Sequence, residues 1–289
     1  MDLREAKPSV FMSRGVTKKT IEAKGLDIVG ERALLNCRDL FKILAWNDAH
    51  GIDFFRMSSD IFPWMGVHKV EETVYWPEIK SALATVGEYA RAKDHRLSFH
   101  PSHFVKLASP DDKLAAGSMA ELEVHSQILD LMGFENASPH NKINIHVGGS
   151  YGDKAATLAR WAARYLQLTE RCRQRVTVEN DDTMAGYSVR DLLTLHSLCG
   201  VPIVFDFHHH KFNSGGMTEI EALDAAMTTW PEGVTPVVHW SESQEDRKPH
   251  AHSDFVTDIC VHGRDVDIMI EAKCKERALL RHRESFTLY

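Results

Sequence analysis

Short runs of β-branched and aromatic residues alternate with longer amphipathic stretches along the whole chain, so a period of two repeatedly gives way to a period of 3.6. The short runs predict eight strands: Ser9–Ser13, Asp53–Ser58, Arg96–His100, Lys142–Val147, Arg175–Asn180, Pro202–Phe207, Thr235–Trp240 and Asp265–Glu271. The amphipathic stretches predict helices over Asn36–His50, Trp76–Lys93, Ala120–Met132, Lys154–Cys172, Val189–Leu198 and Glu219–Met227. In the first of these Leu40, Phe41, Leu44 and Ala45 share one face, and Gly51 supplies a stop just past the end. Strands that alternate with helices predict a parallel sheet. Eight of them in 289 residues fit an α/β fold, a single (β/α)8 TIM barrel spanning 1–289, better than two doubly wound domains. No repeat, low-complexity tract or Gly/Pro/Ser-rich linker interrupts the rhythm. The first few residues and the charged tail after Lys275 are expected to fray.

Composition narrows the class. At 43% hydrophobic and 26% charged residues the chain is too apolar to be disordered and too varied to be fibrous. A formal net charge of −7 gives no overall basic excess of the kind that marks many nucleic-acid binders. The five cysteines, Cys37, Cys172, Cys199, Cys260 and Cys274, are odd in number and form no C-x-x-C pair, which argues against a disulfide framework or a cysteine zinc knuckle. There is no basic-then-apolar leader at MDLREAKPSV and no run long enough to span a membrane. The expectation is a soluble, cytoplasmic monomer without a membrane or an obligate protein partner. What stands out is 17 histidines. Histidine is the commonest metal ligand and an acid/base near neutral pH, so their positions matter.

In a barrel of this class the active site forms at the C-terminal ends of the strands. There the third predicted strand ends in His100, the fourth in His146, the fifth in Glu179, the sixth in Asp206 with His209 three residues on, the seventh in His239 and the eighth in Glu271. The loop after strand two adds His68, and the loop after strand seven adds His250 and His252. One histidine at the end of an apolar run is ordinarily a satisfied core or loop residue. Six consecutive strands ending in ligand types are hard to assign to packing, because carboxylates are almost never buried unless paired or bound to metal. Mixed imidazole and carboxylate sets suit zinc or manganese. Clustered cations can activate a water while holding the attacking and leaving oxygens of a phosphodiester displacement, and they can equally polarise the adjacent sugar oxygens in aldose–ketose isomerisation. The ligands alone do not separate these chemistries.

Seven segments go further: FFRMSSDIFPW (Phe54–Trp64), FHP (Phe99–Pro101), HVGGSYGDK (His146–Lys154), VEND (Val178–Asp181), VFDFHHH (Val204–His210), PHAHSD (Pro249–Asp254) and IEAKCKE (Ile270–Glu276). In these the sequence resembles the ultraviolet-damage endonucleases, metal-dependent DNA repair hydrolases related to endonuclease IV and to the xylose-isomerase-like barrels. The resemblance runs from about Asn36 to about Glu276. It implies metal ligands at His100, His146, Glu179, Asp206, His209, His239, His252 and Glu271, with His68 as a further active-site histidine and Glu179 as the bridging carboxylate. Glu179, Asp206, Glu271 and His239 are the implied catalytic groups. Two or three divalent ions are implied, Mn2+ first, with Zn2+ or Mg2+ as alternatives. The substrate implied is double-stranded DNA carrying pyrimidine dimers or (6–4) photoproducts, nicked immediately 5′ of the lesion by an excision-repair enzyme associated with the nucleoid. The rival readings are a metal-dependent sugar isomerase or epimerase of the same superfamily and a non-catalytic damaged-DNA sensor.

Three positions depart from the family pattern. Ser102, His103 and Phe104 follow FHP where Gly-Gln-Tyr is usual; Val237 stands where a lysine, sometimes carbamylated, is frequent; and Val10, Phe11 and Met12 occupy a region where an aromatic hydroxyl is expected. Phe104 can still wedge against bases. His103, Phe104, Trp64, Lys273 and Lys275 are the candidate DNA contacts, with Lys154, Lys211, Arg247 and Lys248 as a possible basic rim. Trp46, Trp76 and Trp161 lie in predicted helices as packing residues, and His208 and His210 flank the ligand His209 without a ligand role. Cys274 should point away from the site if Glu271 faces it.

Overall fold

Two helices open the chain as described by a computed structural model of residues 9–244 and 248–286: α1 (Lys18–Lys24) and α2 (Asp27–Ala49). Strand and helix then alternate through β1 (Phe54–Met57), α3 (Trp76–Ala92), β2 (Arg96–Phe99), α4 (Asp112–Leu131), β3 (Ile143–Ile145), α5 (Lys154–Tyr165), α6 (Glu170–Arg173) and β4 (Val176–Glu179). The second half continues with α7 (Val189–Cys199), β5 (Ile203–Asp206), α8 (Phe207–Phe212), α9 (Glu219–Met227), β6 (Val237–Trp240), the short strands β7 (Ser243–Gln244) and β8 (Lys248–His252), β9 (Asp267–Ile270) and α10 (Glu276–Phe286). Apart from the antiparallel pair β7–β8, the registered strand pairs are parallel. The fold class is α/β, a (β/α) TIM barrel with seven parallel strands among the described residues.

The chain divides into two compact units. The first holds the residues up to Asn144 together with Gln167–Arg175, and the second holds Ile145–Leu166 and the residues from Val176 onward. The parallel strands follow chain order, β1-β2-β3 in the first, save that Ile145 at the end of β3 falls in the second, and β4-β5-β6-β9 in the second, where the pair β7–β8 is inserted between β6 and β9. The strands β2, β3, β4 and β5 are buried at every residue. That is the pattern of parallel strands covered on both faces, and it explains why they read as continuous apolar runs.

In the first unit, Arg175 is buried and held by Asp130 at 2.7 Å, by the Ser126 carbonyl and hydroxyl at 2.8 Å and by the Phe134 carbonyl at 2.6 Å. Close packing of α3 on the end of α4 rests on Gly87: a Cβ there would sit 1.8 Å from the Met132 carbonyl oxygen, which Arg91 from the next turn also engages. Gly87→Ala should overpack this contact at a cost of about 3 kcal/mol, offset in part by the about 1 kcal/mol that alanine gains in a helix. The expected net loss of about 2 kcal/mol lowers Tm by roughly 4–8 °C in a thermal melt followed by circular dichroism. An unchanged Tm would mean that the two helices do not approach this closely.

Three expectations are corrected, and one unpredicted element is added. The predicted strand Ser9–Ser13 is reduced to a single bridge at Val10. Side chains of α2 capture backbone donors here: Phe11 N–H goes to Asp39 at 3.3 Å and, just past the run, Arg14 N–H goes to Asn36 at 2.9 Å. The predicted helix Lys154–Cys172 breaks after Tyr165, and Thr169, which caps α6 through Cys172 N–H, gives its own N–H and hydroxyl to Glu123, each at 2.7 Å. The hairpin β7–β8 was not anticipated. Beyond Lys275 the chain forms α10 instead of fraying, with Ala278 fully buried and Arg281 over the Phe255 ring at 4.4 Å. The frayed start expected for the first residues lies outside the described residues, as does Arg247. Among the described residues no helix is long and apolar enough to cross a membrane.

Candidate metal centre

The second unit gathers its ligand-type residues through strand register. Side chains alternate along a strand, so Glu179 shares a face with Thr177, Asp206 with Val204, and His239 with Val237. Glu179 is registered against Val204, Asp206 against His239, and His239 against Met269, two residues before Glu271. Four polar groups on adjacent strands therefore meet on one face. Glu179, Asp206 and His239 are all buried, and each offers a ligand atom within 4.8 Å of the others.

The remaining ligand types close around them. His239 Nδ1 lies 3.1 Å from Glu179 and 3.3 Å from Glu271; His209 Nδ1 lies 3.3 Å from Glu179; His146 Nε2 lies 3.9 Å from Glu179; and His252 Nδ1 lies 3.8 Å from Glu271. The Asp-x-x-His spacing has a local cause. Asp206 ends β5 and also caps α8, its Oδ1 accepting the His209 N–H at 2.7 Å. A capping carboxylate and the residue at its third helical position are thereby fixed side by side. His252 arrives on the hairpin, which is docked by His250: that ring stacks on Phe212 at 4.0 Å and pairs with Asp182 at 2.9 Å. His208, buried, meets the His250 carbonyl at 3.2 Å and supports the hairpin.

Groups just behind these side chains set their orientation. Asn180, fully buried, clamps Asp206 by accepting its N–H at 2.8 Å and donating to its carbonyl at 3.0 Å. The Asn180 carbonyl accepts the Nδ1–H of His209 at 2.8 Å, so Nε2 is the nitrogen of that ring that would serve a cation once its proton is lost. Asp181 stands 2.8 Å from Nδ1 of His146 and directs the opposite nitrogen inward. Carboxylate and carbonyl partners of this kind orient metal-ligating imidazoles. Asn180 and Asp181 belong to the VEND segment but were not singled out as site residues. Their signal was adjacency to Glu179.

The electrostatics are those of a cation trap. Burial works against charging the His146 ring, yet the Glu179 and Asp181 carboxylates outweigh it and push its pKa up to about 9. His209 likewise overcomes burial through Glu179 and Asp206 and is pushed up to about 10. Burial raises the Asp206 carboxyl well above the usual range; His209 opposes that shift, while Glu179 and Glu271 reinforce it. Asp206 Oδ2 is buried without a hydrogen-bond partner. A buried carboxylate oxygen left unpaired beside two imidazoles drawn toward their charged form is what a divalent cation would satisfy, and the N/O donor set suits manganese or zinc. The residues fit the expected ions.

The other candidates are placed as follows. In the first unit His100 follows β2, half-buried, with Nδ1 3.2 Å from the Pro101 carbonyl, and the half-buried His68 packs edge-on to Trp64 at 6.2 Å. Trp64 is 41% exposed and Phe104 68% exposed, with His103 tilted against Phe104 at 4.2 Å. In the second unit Lys273 and Lys275 are exposed, Lys273 reaching Gln244 at 2.9 Å. Lys154 is tied to Asp191 at 3.1 Å and Lys211 to Ser243 at 3.0 Å. Cys274 packs into the apolar cluster of Val256, Ala272 and Ala278. Val237 is buried, with no cationic group at that position.

Comparison with known proteins gives a consistent picture. The family model for UV-endonuclease UvdE matches residues 1–288. A UV DNA damage endonuclease of Bacillus velezensis is 31% identical over 97% of this chain and 89% of its own length. A UV-damage endonuclease of Schizosaccharomyces pombe is 35% identical over 96% of this chain, which spans only 48% of that longer protein. The crystal structure of SacUVDE superposes with a TM-score of 0.83 at 28% identity, covering 96% of this chain and 93% of that one.

Proposed function

The chain belongs to the UV-endonuclease UvdE family, and from that premise we propose that it is a DNA repair hydrolase that nicks the backbone immediately 5′ of pyrimidine dimers and (6–4) photoproducts, using two or three divalent ions, Mn2+ first among them. The observation that carries the metal part is the buried Glu179–Asp206–His239 cluster with its unpaired Asp206 oxygen.

Glu179, at the centre of the contacts from His146, His209 and His239, is the group placed to bridge cations. Asp206, His239 and Glu271 complete the inner set, with His146, His209 and His252 around them, and the family resemblance adds His100 and His68 from the first unit. When bound, divalent ions supply Lewis acidity to a phosphoryl oxygen and lower the pKa of a water toward neutrality. The protein's own contribution is to hold the ligands at fixed separation, which Asn180 and Asp181 do, and to keep the carboxylates out of bulk water. Trp64 and Phe104 are exposed aromatics suited to stacking on displaced bases, with His103 beside Phe104, and Lys273 and Lys275 suit phosphate contacts. The substrate is double-stranded DNA, so the enzyme works with the nucleoid, as a monomer, and residues 1–289 act as one catalytic domain.

Irradiated and unirradiated supercoiled plasmid incubated with the protein, with Mn2+ or with a chelator, tests this reading. Metal-dependent relaxation confined to irradiated plasmid is expected. Binding without nicking would make the protein a damage sensor, and indifference to both plasmids would leave the sugar isomerase reading. Sequencing the nicked ends checks that the cut lies 5′ of the lesion.

A further inference from the structure

Away from the metal centre, the segment between β8 and β9 brings together a thiol, an imidazole and a carboxylate. Cys260 is exposed, and its Sγ lies 3.8 Å from Nδ1 of His262. The other nitrogen of that ring, Nε2, meets Oε1 of Glu219, the first residue of α9, at 2.7 Å. An ionised carboxylate only accepts, so Nε2 carries a ring proton, and in the neutral imidazole Nδ1 is the nitrogen that turns a lone pair toward the thiol.

The turn carrying His262 is held rigidly. His262 and Gly263 have φ of +51° and +70°, both left-handed, and Arg264 N–H closes the turn on the Val261 carbonyl at 3.0 Å. A histidine at positive φ is uncommon, and such a conformation persists only where its surroundings over-determine it. They do so here. Arg264 grips both oxygens of Asp224 on α9, at 2.7 and 2.8 Å, and donates to the His262 carbonyl at 2.7 Å. The imidazole is thus fixed by its carbonyl, by Nε2 and by the turn itself. None of these contacts serves the metal centre.

A thiol within reach of a base that a third group orients is the arrangement that activates cysteine. We propose that Cys260 is an activated thiol and a site of modification by low-molecular-weight disulfides, with His262 as its base and Glu219 orienting that base. In the exchange, the Sγ proton passes to His262 Nδ1, Sγ bonds to one sulfur of the disulfide, and the S–S bond breaks. The departing thiolate takes the proton from His262. The products are a mixed disulfide at Cys260 and one free thiol, with no further oxidant. The other cysteines are unsuited to this: burial pushes the Cys37 thiol up to about 12, raises Cys172, and pushes Cys199 up to about 11, while Cys274 packs in an apolar cluster.

The test treats the full chain with the aromatic disulfide dithiobis(nitrobenzoate), following thiolate release by absorbance and the labelled position by peptide mass spectrometry. Cys260 should react first of the five cysteines. Its rate should fall about tenfold in His262→Asn, since asparagine accepts the left-handed backbone but removes the base, and about threefold in Glu219→Gln, which leaves the base but weakens its orientation. Circular dichroism checks that both variants fold, and because the two positions lie on different elements, one can report if the other fails. Rates in both variants within about twofold of the parent, or a fast phase that survives Cys260→Ser, would overturn the proposal.

Discussion

Replacing Glu179 with glutamine is expected to cut the nicking rate on irradiated DNA about a thousandfold, equivalent to about 4 kcal/mol of transition-state stabilisation, without unfolding the protein. The substitution keeps the shape and removes one negative charge from the point where His146, His209 and His239 converge. It also turns an amide donor toward one of two imidazole nitrogens, 3.3 Å and 3.1 Å away, so a position that attracted cations now repels them. Stability should change far less than activity. Taking a charge out of a buried site removes its desolvation cost along with its attractions. Initial nicking rates at saturating Mn2+ and a parallel thermal melt separate the two effects. A variant that nicks within tenfold of the parent would remove Glu179 from the bridging role, and a variant that no longer folds would make its role structural.

The parts of the fold that were legible in the sequence are those whose local pattern and final environment agree. VTVE, IVFD and VVHW read as buried strands because they are buried on both faces, and their last polar residues mark the candidate site because a carboxylate or imidazole ending such a run has no packing reason to be there. Where tertiary partners override local pattern, the reading failed. Phe11 lies in a strand-like run and Arg14 follows it, yet Asp39 and Asn36 of α2 capture their backbone donors, and nothing near residue 10 in the sequence announces that. The hairpin carrying His252 has no run of large apolar residues in its strands, so its position depends on His250 stacking against Phe212, a contact across 38 residues of chain. Asn180 escaped notice for a different reason: it is neither charged nor an ordinary metal ligand, and its importance lies in clamping the Asp206 backbone. Sequence patterns expose candidate ligands more readily than the groups that would aim them.

Stripped of divalent ions by a chelator, the protein should lose thermal stability as pH rises from about 6.5 toward 9–10, while the Mn2+-loaded protein should not. His146 and His209 hold their protons up to about 9 and about 10 in the folded chain, against the ordinary 6.5 of the unfolded one. A group whose folded value is raised binds its proton more tightly when folded, so its contribution is complete below 6.5 and is lost as pH climbs through the folded value. Asp206, raised by burial, acts with the same sign, its contribution fading upward from the ordinary carboxylate range. Protons on the two imidazoles thus do part of the work of a cation, compensating the carboxylates of Glu179, Asp181 and Asp206. Metal ligands must be unprotonated, so loading the site at neutral pH has to expel those protons. Metal affinity should therefore rise with pH across the window in which the stripped protein weakens. Calorimetric titration with Mn2+ in two buffers of different ionisation enthalpy would count the protons released. About two are expected near pH 7, and a release near zero, or a stripped protein whose Tm is flat across the window, would mean that the rings are already neutral and that the carboxylates are compensated in some other way.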